Sequence, residues 1–149
     1  MQPTGDSMIK HILVPYDGSE PANRAFEFAL ELAKFYNANI TIIACVSIHT
    51  HVDPVFAAAE LETLKLQKEE ALKVISQLEP KLKQLNISYK TEVLEAISIT
   101  EVLVSYAESH KADIIIMGSR GLGGFKKLLL GSVASGVSQH SKCPVLIIK

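Results

Sequence analysis

The segment Ile40 to Val46 (ITIIACV) is apolar throughout except for one hydroxyl, and it shows no alternation. A strand with one wet face alternates apolar and polar residues. A continuous run therefore demands cover on both faces, the condition of a strand inside a parallel sheet. Parallel neighbours cannot be joined by tight hairpins, so the chain must supply crossover segments, usually helices, between its strands.

It does so in order. Met8 to Val14 (MIKHILV) reads as a first strand ending in Pro15-Tyr16-Asp17-Gly18-Ser19, a run of turn formers. Ser19 can cap the next helix, with Pro21 tolerated in its first turn. Ala22, Ala25, Phe26, Ala29, Ala33 and Tyr36 fall at helical spacing, leaving Asn23, Arg24, Glu27, Glu31 and Lys34 to solvent. Asn37-Ala38-Asn39 breaks this helix before the Ile40 strand. After Val46 the stretch SIHTHVDPVF has no period, and a helix is predicted from about Ala57 to Leu85. Leu61, Leu64, Ala71, Ile75, Leu78, Leu82 and Leu85 share its inner face, and Glu69 with Lys73 forms a favourable i,i+4 pair. Pro80 predicts a kink or an end near Leu78. Ile87 to Leu94 alternates like an edge strand. Ser98 and Glu101 form a capping box for a helix to His110, with Ile99, Val102, Leu103 and Tyr106 inward. Asp113 to Met117 is the fourth strand, Gly131 to His140 the fourth helix, and Pro144 to Lys149 the last strand. This is one α/β domain with a parallel sheet, without repeats or a second core.

A chain of 149 residues, 48% hydrophobic, is the size of one domain with a real core. A net charge of −1 and the lack of Trp argue against a nucleic-acid surface. The charge is unevenly placed. From Ile114 to Lys149 there is no acid, while Arg120, Lys126, Lys127, Lys142 and Lys149 give +5, so the first 113 residues carry −6. Cys45 and Cys143 have no metal spacing and read as reduced core thiols of an intracellular protein. No apolar run is long enough for a membrane span, and Met1 to Ser7 lacks the basic and apolar regions of a signal peptide. The expectation is a disordered leader over 1–7, a domain over 8–149, a cytoplasmic location, and neither nucleic-acid nor membrane partners.

The strand ending at Met117 stops abruptly in Gly118-Ser119-Arg120-Gly121, and Gly131-Ser132 opens the next apolar-periodic segment. Glycines at 118 and 121 permit positive φ and let backbone N–H groups approach an anion, to which the N-terminus of the following helix would also point. The plain alternative is a glycine-rich link with no ligand. Two familiar phosphate motifs fail on spacing. Gly118 and Gly123 are spaced as in a Walker loop, but Gly124 stands where lysine is required. A dinucleotide fingerprint needs G-x-G-x-x-G after the first strand, where this chain has one glycine. What fits is G-x2-G-x9-G-[ST], as Gly118, Gly121, Gly131 and Ser132.

On these residues the chain resembles the universal stress protein family in its ATP-binding branch. The resemblance covers nearly all of 8–149, through ILVPYDGSE, MGSRG with GFKKLLLGSV, and the closing CPVLIIK. It implies a doubly wound five-stranded sheet of order 3-2-1-4-5 with helices on both faces, which sets the loop after strand one beside the loop after strand four. It further implies that Gly118, Gly121, Gly131, Ser132 and the Val133 amide hold the ribose and phosphates of ATP, with Arg120 in the same loop. Pro15 and Asp17 would line the other side, Asp17 near the ribose or a phosphate-bound Mg²⁺. The Val46 backbone would flank the adenine, and Met117 would serve the core first and the base second. The chain departs from the pattern at Cys45, where the family often has histidine, and at Glu95-Ala96-Ile97, where many members have a glycine. The final strand would pair two copies into a homodimer.

Several of these residues have a second reading. Asp17 suits an Asx-turn, Ser132 a helix cap, and Arg120, Lys126 and Lys127 solvated loop charges. His49 and His51 lack an acid or cysteine partner for a metal. His11, His110 and His140 show no partner in the sequence. No Ser-His-Asp order or nucleophile elbow is present, so no catalytic residue is assigned. The economical function is a homodimeric, nucleotide-dependent sensor or adaptor in stress response, whose ATP occupancy switches a surface for a partner protein. The alternative is slow ATP hydrolysis, or phosphoryl or nucleotidyl transfer, on the same fold.

Overall fold

The computed structural model describes residues 7–122 and 130–149. Residues 1–6 of the expected leader, and 123–129 with Lys126 and Lys127, lie outside the described residues. The elements in chain order are β1 (His11–Pro15), α1 (Glu20–Tyr36), β2 (Asn39–Ser47), α2 (Ala57–Ser76), α3 (Glu79–Gln84), β3 (Tyr89–Ala96), α4 (Ile99–Ser109), β4 (Ile114–Gly118), α5 (Ser132–His140) and β5 (Val145–Ile148). The strands form one parallel sheet in the order β3-β2-β1-β4-β5.

Successive strand residues supply opposite layers, because side chains alternate across a pleated strand. Ile12, Val14, Ile40, Ile42 and Ile116 pack with Phe26, Ala29 and Leu30 of α1, Ile75 of α2 and Leu82 of α3. Leu13, Ile43, Ile115 and Met117 pack with Leu103 and Tyr106 of α4 and with Ala134 and Val137 of α5. Both faces of the sheet are thus covered, which is why Ile40 to Val46 carries no alternation.

The caps form largely as the sequence predicts. Ser19 accepts from the Ala22 amide at 3.3 Å, and α1 ends on Asn37 in the left-handed region at φ 54°. Ser98 accepts from the Glu101 amide at the start of α4. The helix predicted over 57–85 divides in two. α2 stops at Ser76, and Pro80 falls in the first turn of α3, where its missing N–H breaks no intrahelical bond.

The predicted inner face of α2 is overturned at its N-terminal end. Ile75 is the one buried residue of α2, while Leu61 is 69% exposed. The reason is length. Lys68, midway along α2, already pairs with Glu95 near the C-terminal end of β3, and no residue of the turns before it is buried. The histidines also find partners. His11 places Nε2 2.7 Å from the Thr41 hydroxyl and Nδ1 3.2 Å from the His110 carbonyl. The His110 ring stacks on Tyr106 at 3.7 Å, and His140 Nδ1 lies 2.9 Å from the Gly136 carbonyl. No helix among the described residues is long and apolar enough to cross a membrane.

Candidate functional site

β1 and β4 are adjacent at the centre of the sheet, and the chain leaves them toward opposite layers: α1 follows β1 on one face, α5 follows β4 on the other. A crevice opens where neighbouring strands diverge in this way. Here it is a cavity of about 510 Å³. Pro15, Tyr16 and Asp17 line it from β1, Ile43 and Cys45 from β2, and Ile99 and Leu103 from α4. The 117–122 segment and the first turn of α5 complete the wall.

Of the residues singled out in the sequence, Pro15, Asp17, Met117, Gly118, Arg120, Gly121, Gly131, Ser132 and Val133 all line this cavity. Val46 does not. Its side chain is buried and shares strand parity with Ile42 and Ala44, which face the α1 layer, whereas the contact expected of Val46 is one of its backbone. The β2 residues in the cleft are Ile43 and Cys45, which share the opposite phase. Cys45 is half-buried and not the closed core thiol expected. Burial pushes its pKa up to about 11, since a thiolate is poorly solvated there.

Of the two roles expected of Gly118 and Gly121, positive φ is not adopted, and each instead leaves room where a Cβ would meet the chain itself. Among the described glycines, Gly18 alone has positive φ, at 82°, in the turn after Asp17. A Cβ on Gly118 would lie 2.8 Å from the Ala22 nitrogen and the Pro21 carbonyl carbon, so Gly118 is where α1 presses on the end of β4. A Cβ on Gly121 would lie 2.6 Å from Asp17 Oδ2. A Cβ on Gly131 would sit 3.2 Å from the Ser119 carbonyl oxygen. Close approach therefore accounts for all three motif glycines, of backbone at Gly118 and Gly131 and of the Asp17 carboxylate at Gly121.

The two loops are bonded to each other. Asp17 Oδ1 accepts from the Ser19 amide at 2.9 Å, which is the Asx-turn, and Oδ2 accepts from the Leu122 amide at 3.1 Å. The Ser19 hydroxyl lies 3.5 Å from the Arg120 carbonyl. Buried Ser119 donates its amide to the Ile148 carbonyl at 2.8 Å, tying the loop to β5. Tyr16, missed in the sequence although its neighbours were chosen, packs edge-on against Phe26 and donates its hydroxyl to Asn23. Burial first, and the Asp17 charge second, raise its pKa.

The start of α5 differs from that of every other helix among the described residues. α1, α2, α3 and α4 carry Glu20, Glu60, Glu79 and Glu101 in their first turns, which offset the positive end of the helix dipole. α5 has no acid there and no side-chain cap, because its N-cap is Gly131. Ser132 is the first helical residue, one position too late for the cap expected of it. The first turn of α5 thus lines the cleft with no acid of its own and, among the described residues, no side-chain cap. No group of three His, Cys, Asp or Glu among the described residues could hold a metal, and His49 and His51 are exposed in the β2–α2 loop.

The sequence pattern of the universal stress protein family matches residues 8–149. A universal stress protein from Methanocaldococcus jannaschii is 36% identical over 148 residues, covering 97% of this chain and 85% of that protein. The solved structure of the universal stress protein UspA from Lactobacillus plantarum superposes with a TM-score of 0.88 at 27% identity, covering 94% of this chain and 97% of that one. A universal stress protein solved in complex with cAMP gives 0.69 at 25% identity, covering 96% and 99%. A family pattern matched across residues 8–149, together with a relative 36% identical over nearly the whole chain, means that the chain belongs to the universal stress protein family.

Proposed function

We propose that the cleft binds an adenine nucleotide, ATP with Mg²⁺, and that the protein is a homodimeric sensor or adaptor whose occupancy is read by a partner protein. The observation that carries this reading is the uncapped, acid-free start of α5 opening into a cavity of about 510 Å³. Unpaired amides at a helix N-terminus attract phosphate oxygens, and the volume lies in the range of small-ligand pockets. The apolar side chains of Ile43, Cys45, Ile99 and Leu103 supply a wall for the base at the other end of the cleft. Binding of cAMP by a relative of the same fold supports a nucleotide as the ligand class.

Among the described residues Asp17 is the one acid lining the cleft, and both its oxygens already accept backbone bonds. Magnesium accordingly enters on the phosphates of Mg-ATP, with Asp17 as its neighbouring charge. Bound nucleotide stabilises the closed loops by mass action, so occupancy converts nucleotide level into a surface state. The dimer reading rests on β5, an edge strand whose four residues Val145–Ile148 are all apolar and half-buried. An unpaired apolar edge is a template for a second strand.

The test is direct. Purified protein is unfolded and the released small molecules are chromatographed, and Mg-ATP is titrated into the stripped protein by calorimetry. An adenine nucleotide or a saturable heat is expected. Absence of both removes the nucleotide reading. Sedimentation at micromolar concentration is expected to give a dimer, and a charge at Ile147 to give a monomer; a wild-type monomer removes the β5 interface.

A further inference from the structure

We propose that Asp17 is a positioning residue whose carboxylate clasps the loop after β1 to the loop after β4 and sets the shape of the cleft before a ligand arrives. The proposal rests on the nucleotide reading for its functional consequence only. Both carboxylate oxygens are used, Oδ1 on the Ser19 amide and Oδ2 on the Leu122 amide. An ionised carboxylate accepts at both oxygens, so Asp17 bridges two N–H donors without competing donors of its own.

The surroundings are fitted to this bridge. Gly18 at φ 82° makes the turn that aims Asp17, a conformation L side chains rarely adopt. Gly121 leaves room for Oδ2, which a Cβ would meet at 2.6 Å. The Ser19 hydroxyl beside the Arg120 carbonyl makes a second link between the same loops. Gly131 donates its amide to the Ser119 carbonyl at 2.6 Å, so the segment that Asp17 holds in turn fixes the start of α5. Asp17 thereby acts on the α5 amides through the loop. A ligand entering a clasped cleft finds amides already aimed and loses less freedom on binding.

A direct ligand contact and a clasp differ in what Gly121→Ala does. That variant keeps the Asp17 charge in the cleft but drives Oδ2 off the Leu122 amide. Amide hydrogen exchange by NMR is measured first, on ligand-free protein. Asp17→Ala is expected to speed exchange at both Ser19 and Leu122 by about tenfold, the loss of one charge-assisted bond each. Gly121→Ala is expected to speed Leu122 and leave Ser19 unchanged. Calorimetry with Mg-ATP follows. Both variants are expected to weaken binding by about tenfold with the double variant no worse than either, as for residues acting through one contact, and with Tm held within a few degrees.

Leu122 exchange that is the same in wild type and Asp17→Ala overturns the clasp. Full affinity in Gly121→Ala alongside lost affinity in Asp17→Ala also overturns it, in favour of a direct contact. If wild type binds no nucleotide while the exchange pattern holds, the clasp stands and the nucleotide reading alone falls.

Discussion

The two ends of the sheet use their polar groups in opposite ways. At the end where the strands begin, Asp113 accepts from the Lys10 and His11 amides at 2.8 and 2.9 Å, and His11 bridges Thr41 to the His110 carbonyl that ends α4. Side chains there close the chain's own backbone. At the end where the strands finish, Gly118, Gly121 and Gly131 remove side chains, and the first turn of α5 has neither cap nor acid. Each end holds an aspartate that bridges two amides, Asp113 at the closed end and Asp17 at the open one. The contrast shows where this fold leaves hydrogen-bonding capacity for something other than itself: not where polar side chains are dense, but where they are missing.

The largest effect is expected from a glycine that belongs to the open end by position and to the core by contact. Gly118→Val places a branched side chain within 2.8 Å of the Pro21 and Ala22 backbone, which cannot move aside as a flexible side chain could. A loss of about 3 kcal/mol in urea unfolding, or failure to fold, follows. A variant of wild-type stability would show that α1 does not press on β4 there.

Next comes the closed end. Asp113→Ala leaves two backbone amides without their acceptor and is expected to cost about 2 kcal/mol of stability. Mg-ATP affinity should stay at the wild-type value, because Asp113 lies at the other end of β4 from the cleft. Lost affinity in a folded Asp113→Ala protein would break the separation between the two ends.

The third variant inverts that pattern. Gly131→Val meets the Ser119 carbonyl at 3.2 Å, a contact that a shift of a few tenths of an ångström relieves. Stability is expected to fall by less than about 1 kcal/mol, while the displaced α5 amides lose at least about tenfold in nucleotide affinity. Unchanged affinity would mark the motif as structural packing alone.

How much of this the sequence discloses follows the same divide. The strands and crossover helices are legible because burial on both faces leaves continuous apolar runs, and because Ser19, Pro21, Ser98 and Pro80 mark helix ends by local chemistry. The glycine spacing marks the loop after β4 as one wall of the cleft, the family resemblance sets the Asp17 turn opposite it, and the apolar lining of Tyr16, Ile43, Ile99 and Leu103 leaves no mark in the sequence that separates it from core. The reason for each glycine is not legible, since positive φ and close approach leave the same letter in the chain. Nor does ITIIACV disclose which of Cys45 and Val46 turns its side chain to the cleft, because a run apolar on both faces carries no parity. The exposure of the first turns of α2 is equally hidden: Leu61 keeps helical spacing with Ile75, yet one is exposed and the other buried.

Cys45 supplies the smallest and most local test. Its side chain lies in the cleft wall, and burial raises its pKa from 9.0 to about 11. The thiolate is the reactive form, so at pH 8 alkylation should run about a hundredfold slower than for a thiol of ordinary pKa. The rate should climb about tenfold per pH unit until the pH nears 11. The sign for stability is fixed by the same shift. The folded state keeps a proton that the unfolded chain releases from about pH 9, so this contribution is whole below pH 9 and is lost as the pH rises toward 11. Mg-ATP is expected to slow the labelling further by covering the cleft wall, followed by mass spectrometry of the Cys45 peptide. Labelling at the same rate with and without nucleotide, in protein that calorimetry shows to be saturated, would move the base away from β2 and leave only the phosphate end of the cleft occupied.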